Sequence, residues 1–143
     1  MIAVSDAVLR EIRAHGREAY PEECCGALLG SSRDGGTRAV RAERARNASE
    51  EARERRFQIE PREYLRLESL ADSLGLDLLG FYHSHPDHPA APSELDRERA
   101  FPALHYVVLS VSAGRPAEIT SWVLSDDGGS FEREELRIED LRE

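Results

Sequence analysis

Apolar residues recur along this chain with two different periods, and the switches between them mark out its elements. From Ser5 to Ala19, Val8, Leu9 and Ile12 lie on one helical stripe, with Ser5 placed to cap the first turn. This spacing predicts an amphipathic helix packed on a sheet. Cys25 to Gly30 is a short apolar run, Ser31 to Gly36 is rich in Ser, Asp and Gly, and a second strand near Arg38 to Ala42 completes a hairpin. Glu43 to Arg56 is densely charged and nearly devoid of large apolar side chains, which predicts a mobile connector. Phe57 to Glu60 reads as a short strand. Pro61, at a first helical position, opens a second helix through Ser73, whose buried face is Tyr64, Leu65, Leu67, Leu70 and Ala71; Gly75 ends it.

In the second half, Leu76 to Tyr82 is a short apolar run with aromatics, the pattern of a buried strand. Pro86 to Pro92 contains three prolines and must be an ordered loop. Ser93 is the N-cap of a helix whose first turn carries Glu94, Asp96 and Glu98, matching the positive end of the helix dipole. Tyr106 to Val111 and Ile119 to Leu124 form a further pair of strands around Ser-Ala-Gly-Arg-Pro, a last strand begins at Phe131, and the charged tail to Glu143 has few anchors and frays at its end. The sum is one α/β domain over residues 1–143, a mixed β-sheet flanked by helices.

The chemistry concentrates in His83-Ser84-His85-Pro86. Alternate strand residues share a face, so His83 and His85 project to one side, about 6.6 Å apart along the backbone, where both rings can reach one ion at about 2.0 to 2.1 Å. Ser84 points away. The proline-rich loop returns the chain, and Asp96, on the same helix face as Ser93, becomes the third ligand. Three protein ligands with a fourth position left for water describe a catalytic rather than a structural zinc site. The best candidate for a base lies at the mouth of the early strand, in Pro21-Glu22-Glu23-Cys24-Cys25-Gly26, with Glu23 preferred to Glu22.

Together these residues resemble the JAMM (MPN+) metallopeptidases, whose pattern is an early-strand Glu followed by H-x-H-x7-S-x2-D. His83 and His85 match the histidine ligands, and Ser93 and Asp96 match the serine and the aspartate ligand. Pro21 to Gly30 fits P-x-E-x-C-G-x-L-x-G, and Phe57 to Pro61 is similar to the junction before the family's second helix. The resemblance implies the MPN (cytidine-deaminase-like) fold and a Zn2+-dependent isopeptidase or peptidase cutting after the C-terminus of a ubiquitin-like protein. It implies that Glu23 is the general base, passing a proton from the activated water to the leaving amine, and that Ser93 donates a hydrogen bond to the oxyanion. The short stretch from Arg97 to His105 suits a minimal, prokaryote-like enzyme acting on a ubiquitin-like or sulfur-carrier protein tail, extended beside a strand between walls narrow enough to favour small residues. The metal is expected at a sheet edge beside a helix start.

Two other readings compete. His83 to His88 also satisfies H-x-H-x-D-H, which resembles metallo-β-lactamase-fold hydrolases, but that fold usually needs a longer chain and further downstream ligands, and His105 is the only later histidine. A noncatalytic MPN scaffold that only binds partners typically lacks ligands, whereas all five motif positions are present here. Asp87 and His88 read as loop residues near the metal rim, His15 and His105 as structural or exposed.

Composition narrows the setting. A formal charge of -9 argues against nonspecific nucleic-acid binding and permits a partner with a basic surface. No apolar stretch reaches membrane-spanning length, and Met1 to Val4 is too short for a secretory signal, so a cytoplasmic protein is expected. The adjacent Cys24 and Cys25 cannot pair without strain and argue for a reducing compartment. Every basic residue is arginine, a bias on which no function is rested.

Overall fold

A computed structural model describes residues 1–33 and 36–139. The elements run β1 (Ile2–Ser5), α1 (Asp6–Ala19), β2 (Cys25–Arg33), β3 (Gly36–Ala45), α2 (Pro61–Leu74), β4 (Asp77–Pro86), α3 (Glu94–Arg99), β5 (His105–Ser112), β6 (Arg115–Leu124), β7 (Phe131–Glu134) and β8 (Leu136–Glu139). All eight strands join one mixed sheet in the order β7-β6-β5-β4-β2-β3-β1-β8. β1 runs parallel to β3 and β8, and β4 runs parallel to β5; the other neighbours are antiparallel. The predicted mixed sheet with helices on its faces is therefore found.

Strand alternation divides the core between the two faces. Val8, Leu9 and Ile12 of α1 pack with Leu28, Tyr82, Val107 and Leu109 on one side. Leu67 and Ala71 of α2 pack with Ala27, Leu29, Phe81 and Tyr106 on the other. Because β4 alternates, Tyr82 and Ser84 point toward α1, while Phe81, His83 and His85 share the α2 face. Both helices begin and end as their sequences dictate. The Ser5 hydroxyl accepts from the Val8 N–H at 3.1 Å, Pro61 starts α2, and Gly75 closes it in the left-handed region at φ 68°. At Gly80 the backbone of β5 comes so close that an added Cβ would lie 1.8 Å from the His105 carbonyl oxygen, so only glycine fits.

Several expectations need correction. Ile2–Ser5 is a fully buried strand next to the sheet edge, since β1 lies between β3 and β8 and its partners are distant in sequence. The tail supplies β8, whose Leu136 packs against the α1-side core; its last residues, 140–143, lie outside those described, as does part of the Ser31 to Gly36 turn. Phe57 to Glu60 is not a strand; it is held by one main-chain bond, from the Ala48 N–H to the Gln58 carbonyl at 2.7 Å, and by the side chains of Asn47 and Arg99. Leu65 is not on the buried face of α2; it is 64% exposed, whereas Leu67 is fully buried. The segment expected as a mobile connector contributes Glu43–Ala45 to β3, and the remainder is held by hydrogen bonds to the Glu23 backbone.

Candidate metal centre

β4 carries the two histidines, and its pairing with β2 brings Glu23 to them. Cys25 pairs with His83, and continuing this antiparallel register by two residues sets Glu23 opposite His85. Glu23, His83 and His85 are all buried. Across the sheet end, the proline-rich loop delivers α3, whose Ser93 N-cap forms a capping box with Asp96. The Ser93 Oγ accepts from the Asp96 N–H at 3.1 Å, and Asp96 Oδ2 accepts from the Ser93 N–H at 2.8 Å.

Three polar atoms converge. His83 Nε2 lies 3.1 Å from His85 Nε2 and 3.0 Å from Asp96 Oδ2, and His85 Nε2 lies 3.2 Å from the same oxygen. Ligands held roughly 2.0 to 2.1 Å from a tetrahedral ion sit about 3.3 Å from one another, so this triangle has the dimensions of three tetrahedral corners. The tautomer agrees. His85 Nδ1 faces the Pro89 carbonyl at 3.1 Å and must donate to it, which leaves a lone pair on Nε2 of the neutral ring. Lone pairs and a carboxylate crowded together call for a cation, and the residues present fit zinc.

Two carboxylates compete for the third corner. A Glu23 oxygen lies within 4.8 Å of both imidazole donors, but Asp96 Oδ2, at 3.0 and 3.2 Å, is at ligand-to-ligand distance from both. Glu23 Oε1 is buried with no hydrogen-bond partner, an unfinished arrangement that suits a carboxylate facing a water. Burial pushes the Glu23 carboxyl up to about 8, with Asp96 reinforcing the shift and His85 opposing it. For Asp96, burial disfavours the charge, but the neighbouring His83, the contact with His85 and the hydrogen bond from the Ser93 N–H outweigh it and hold the carboxyl well below its usual range. Burial likewise works against a charged His85, and its contacts with Asp96, Glu23 and the Pro89 carbonyl more than compensate, raising it.

The other candidates fall into place around this cluster. Glu22 turns away toward Arg53, 3.9 Å distant. Ser93 is exposed, and because its oxygen serves the cap as an acceptor, its own O–H is free to donate. Asp87 is engaged elsewhere, accepting from the Tyr20 hydroxyl at 2.6 Å and the Ala113 N–H at 2.7 Å, so both its oxygens are occupied and the H-x-H-x-D-H reading loses its aspartate. The His88 carbonyl accepts from Ser110, and Thr120 donates to the Ala90 carbonyl, which ties down the proline-rich loop. His15 meets the buried Tyr82 hydroxyl at 2.7 Å, and His105 meets Glu134 at 2.6 Å; both are structural. Cys24 and Cys25 are free and buried, with burial pushing the Cys24 thiol up to about 11 and raising Cys25 too, so neither is a ready nucleophile.

The centre does not sit at a sheet edge. β4 and β2 are the middle strands, and the histidines lie at the end of β4, which has a neighbour on each side. An edge position would have required unpaired partners that this topology does not leave. A cavity of about 440 Å³ shares His83 and Asp96 in its wall and is lined by the rings of Phe57, Tyr64, Phe81 and Phe101. Phe57 stacks on His83, with centroids 4.6 Å apart and planes 27° apart; among the described residues the buried His83 Nδ1 has no hydrogen-bond partner, so this stacking and the contacts of Nε2 orient the ring. Sequence reasoning placed Phe57 in a strand and overlooked Asn47, Ser84 and the Pro89 carbonyl, whose roles arise from contacts across the fold.

A mixed sheet with this strand order and a buried histidine pair at the end of a central strand is the architecture of a JAB1/MPN-type domain. The chain belongs to the family described as prokaryotic homologs of the JAB domain, which its residues 5–125 match. It is 37% identical to a desampylase of Haloferax volcanii over 108 residues, 73% of this chain and 74% of that protein. A Desulfitobacterium hafniense protein solved in solution superposes with a TM-score of 0.85 at 31% identity, covering 99% of this chain and 94% of that one. A JAB1/MPN domain protein from Archaeoglobus fulgidus shares the fold, with a TM-score of 0.59 at 18% identity over 96% of each chain.

Proposed function

We propose that this chain, acting as one domain, is a zinc-dependent isopeptidase or peptidase that hydrolyses the bond after the C-terminus of a ubiquitin-like or sulfur-carrier protein. The observation that carries the reading is the meeting of His83 Nε2, His85 Nε2 and Asp96 Oδ2 beside the unpartnered carboxyl of Glu23. The similarity to a desampylase supports an isopeptidase with a ubiquitin-like substrate. His83, His85 and Asp96 hold the metal. When bound, zinc supplies Lewis acidity, making a water acidic enough to ionise near neutral pH and polarising the scissile carbonyl.

The protein's own groups do the rest. Glu23, whose carboxyl is raised toward neutrality by burial, accepts a proton from the attacking water and returns it to the leaving amine. The free O–H of Ser93 donates to the oxyanion that develops on the substrate carbonyl. The aromatic cavity beside His83 accepts an apolar side chain of the substrate tail, while the residues at the scissile bond stay small. No described helix is long and apolar enough to cross a membrane; the free thiols of Cys24 and Cys25 support a reducing, cytoplasmic setting.

The decisive experiment incubates the zinc-loaded protein with ubiquitin-like fusions carrying varied C-terminal extensions. Cleavage that a chelator abolishes, and that Glu23→Ala reduces strongly while zinc is retained, is the expected result. A chain that holds no stoichiometric zinc after reconstitution supports the scaffold reading instead.

A further inference from the structure

Glu23 stands just outside the sheet, because the β2 ladder begins at Cys25, so the strand pairing does not hold its peptide groups. They are held by the irregular segment after β3. The Glu23 N–H donates to the Arg53 carbonyl at 2.7 Å, and the Glu23 carbonyl accepts from Asn47 Nδ2 at 3.2 Å. We infer that Asn47, the chain's only asparagine, is a positioning residue that sets Glu23 over the histidine pair.

Its carboxamide uses every bond it can make. Nδ2 also donates to the Arg56 carbonyl at 2.8 Å, while Oδ1 accepts the N–H groups of Ser49 and Gln58, each at 3.1 Å. Two donors and two acceptors are thus all satisfied, and exchanging oxygen and nitrogen would break all four contacts, which fixes the amide's orientation. No other side chain reproduces the set. Aspartate has the same shape but no donors, and glutamine is longer by one methylene. The contacts converge on the proposed chemistry from two directions. One pair anchors the carbonyls of Glu23 and Arg56, and the other anchors Gln58, the neighbour of the Phe57 ring that stacks on His83. Arg99, from the helix that carries Asp96, donates to the Phe57 carbonyl at 2.8 Å, so the segment Asn47 organises touches both the base and the metal-ligand side. A general base must lie within hydrogen-bond reach of the proton it takes, and a displacement near 1 Å costs about 100-fold in rate.

This inference rests on the proposed peptidase reading for its kinetic arm alone. Zinc-loaded Asn47→Ala and Asn47→Asp are compared with wild type on a cleavable ubiquitin-like fusion, and amide hydrogen exchange is followed by NMR in all three. With zinc content unchanged, kcat should fall about 10- to 100-fold in both variants while KM stays within about threefold. In Asn47→Ala the Glu23, Ser49 and Gln58 amides should lose at least about tenfold in protection, and in Asn47→Asp, which keeps both acceptors, the Glu23 amide alone, while those of Leu28 and Val108 keep theirs in both. A merely structural role would lower the melting temperature and leave kcat per folded, zinc-bearing molecule unchanged, and that result overturns the inference. So does wild-type protection at Glu23 in Asn47→Ala. If no fusion is cleaved, exchange at Glu23 decides: protection lost in Asn47→Ala upholds the positioning, and protection kept overturns it; if neither variant folds, a wild-type Glu23 amide left unprotected overturns it, and one protected together with Ser49 and Gln58 upholds it.

Discussion

Cys24 and Ser84 clasp one another across the two central strands. The Cys24 N–H donates to the Ser84 Oγ at 2.8 Å, and the Ser84 N–H donates to the Cys24 carbonyl at 3.1 Å. Cys24 follows Glu23, and Ser84 separates His83 from His85, so one reciprocal pair locks base and metal ligands in register from the face opposite the site. Ser84→Ala leaves the buried Cys24 N–H unpaired and should cost about 1 to 3 kcal/mol of stability, read from urea unfolding of the metal-free protein. A cost below about 0.5 kcal/mol would mean that the backbone bond alone holds the register.

Asp96 serves two masters with one oxygen, accepting the Ser93 N–H of the capping box and facing both imidazoles. Asn keeps an acceptor for the cap but brings no negative charge. Asp96→Asn should therefore weaken zinc binding by more than about 100-fold, beyond the loss typical of outer-shell substitutions, with the helix intact. Competition with a chromophoric chelator measures the affinity, and retained binding within about tenfold would shift the third corner to Glu23.

Burial raises the Glu23 carboxyl to about 8, above its ordinary 4.5, so the folded metal-free protein binds more protons than the unfolded chain between those values. Stability contributed by this group is fully present below about 4.5 and is lost as pH rises through about 8. Glu23→Gln removes that dependence. Near pH 8 the chelated variant should be more stable than wild type by on the order of 2 kcal/mol, although cleavage is lost, a stability gain at the expense of function. Parallel stability profiles for the two proteins across this range would contradict it.

His15 gives the opposite slope. Burial first, then the nearby Arg44 charge, lowers its imidazole from 6.5 to about 4, so below pH 6.5 the unfolded chain takes up a proton that the folded protein refuses. Its contribution is therefore present above 6.5 and lost as pH falls toward 4. His15→Gln, which keeps a polar partner for the Tyr82 hydroxyl, should flatten the acid limb of the unfolding free energy by about 1 to 2 kcal/mol between pH 7 and pH 5. An unchanged acid limb, measured by urea titration at each pH, would assign it to other groups.

Much of the site was legible before any coordinates. Period-two alternation put His83 and His85 on one face, and the Ser93 cap with Asp96 three residues on put both at a helix start. These are local rules that depend only on backbone geometry. The elements misread all depend on distant partners. Ile2–Ser5 and Leu136–Glu139 become strands because each completes the other's ladder, and nothing in four residues announces that. The segment from Glu43 to Arg56 reads as mobile because many of its anchors are main-chain groups, Arg53 with Glu23 and Ala48 with Gln58 among them, and main-chain anchors leave no trace in composition.

By itself the sequence determined which side chains could share an ion, because their spacing on one strand and one helix turn is fixed by covalent geometry. It also determined that α1 and α2 each bury one stripe. Only the tertiary structure decided that the centre lies at the end of the middle strands instead of an edge, and that an aromatic cavity opens beside it. Those outcomes rest on strand order and register, which arise from pairings between segments tens of residues apart, and no local pattern encodes them.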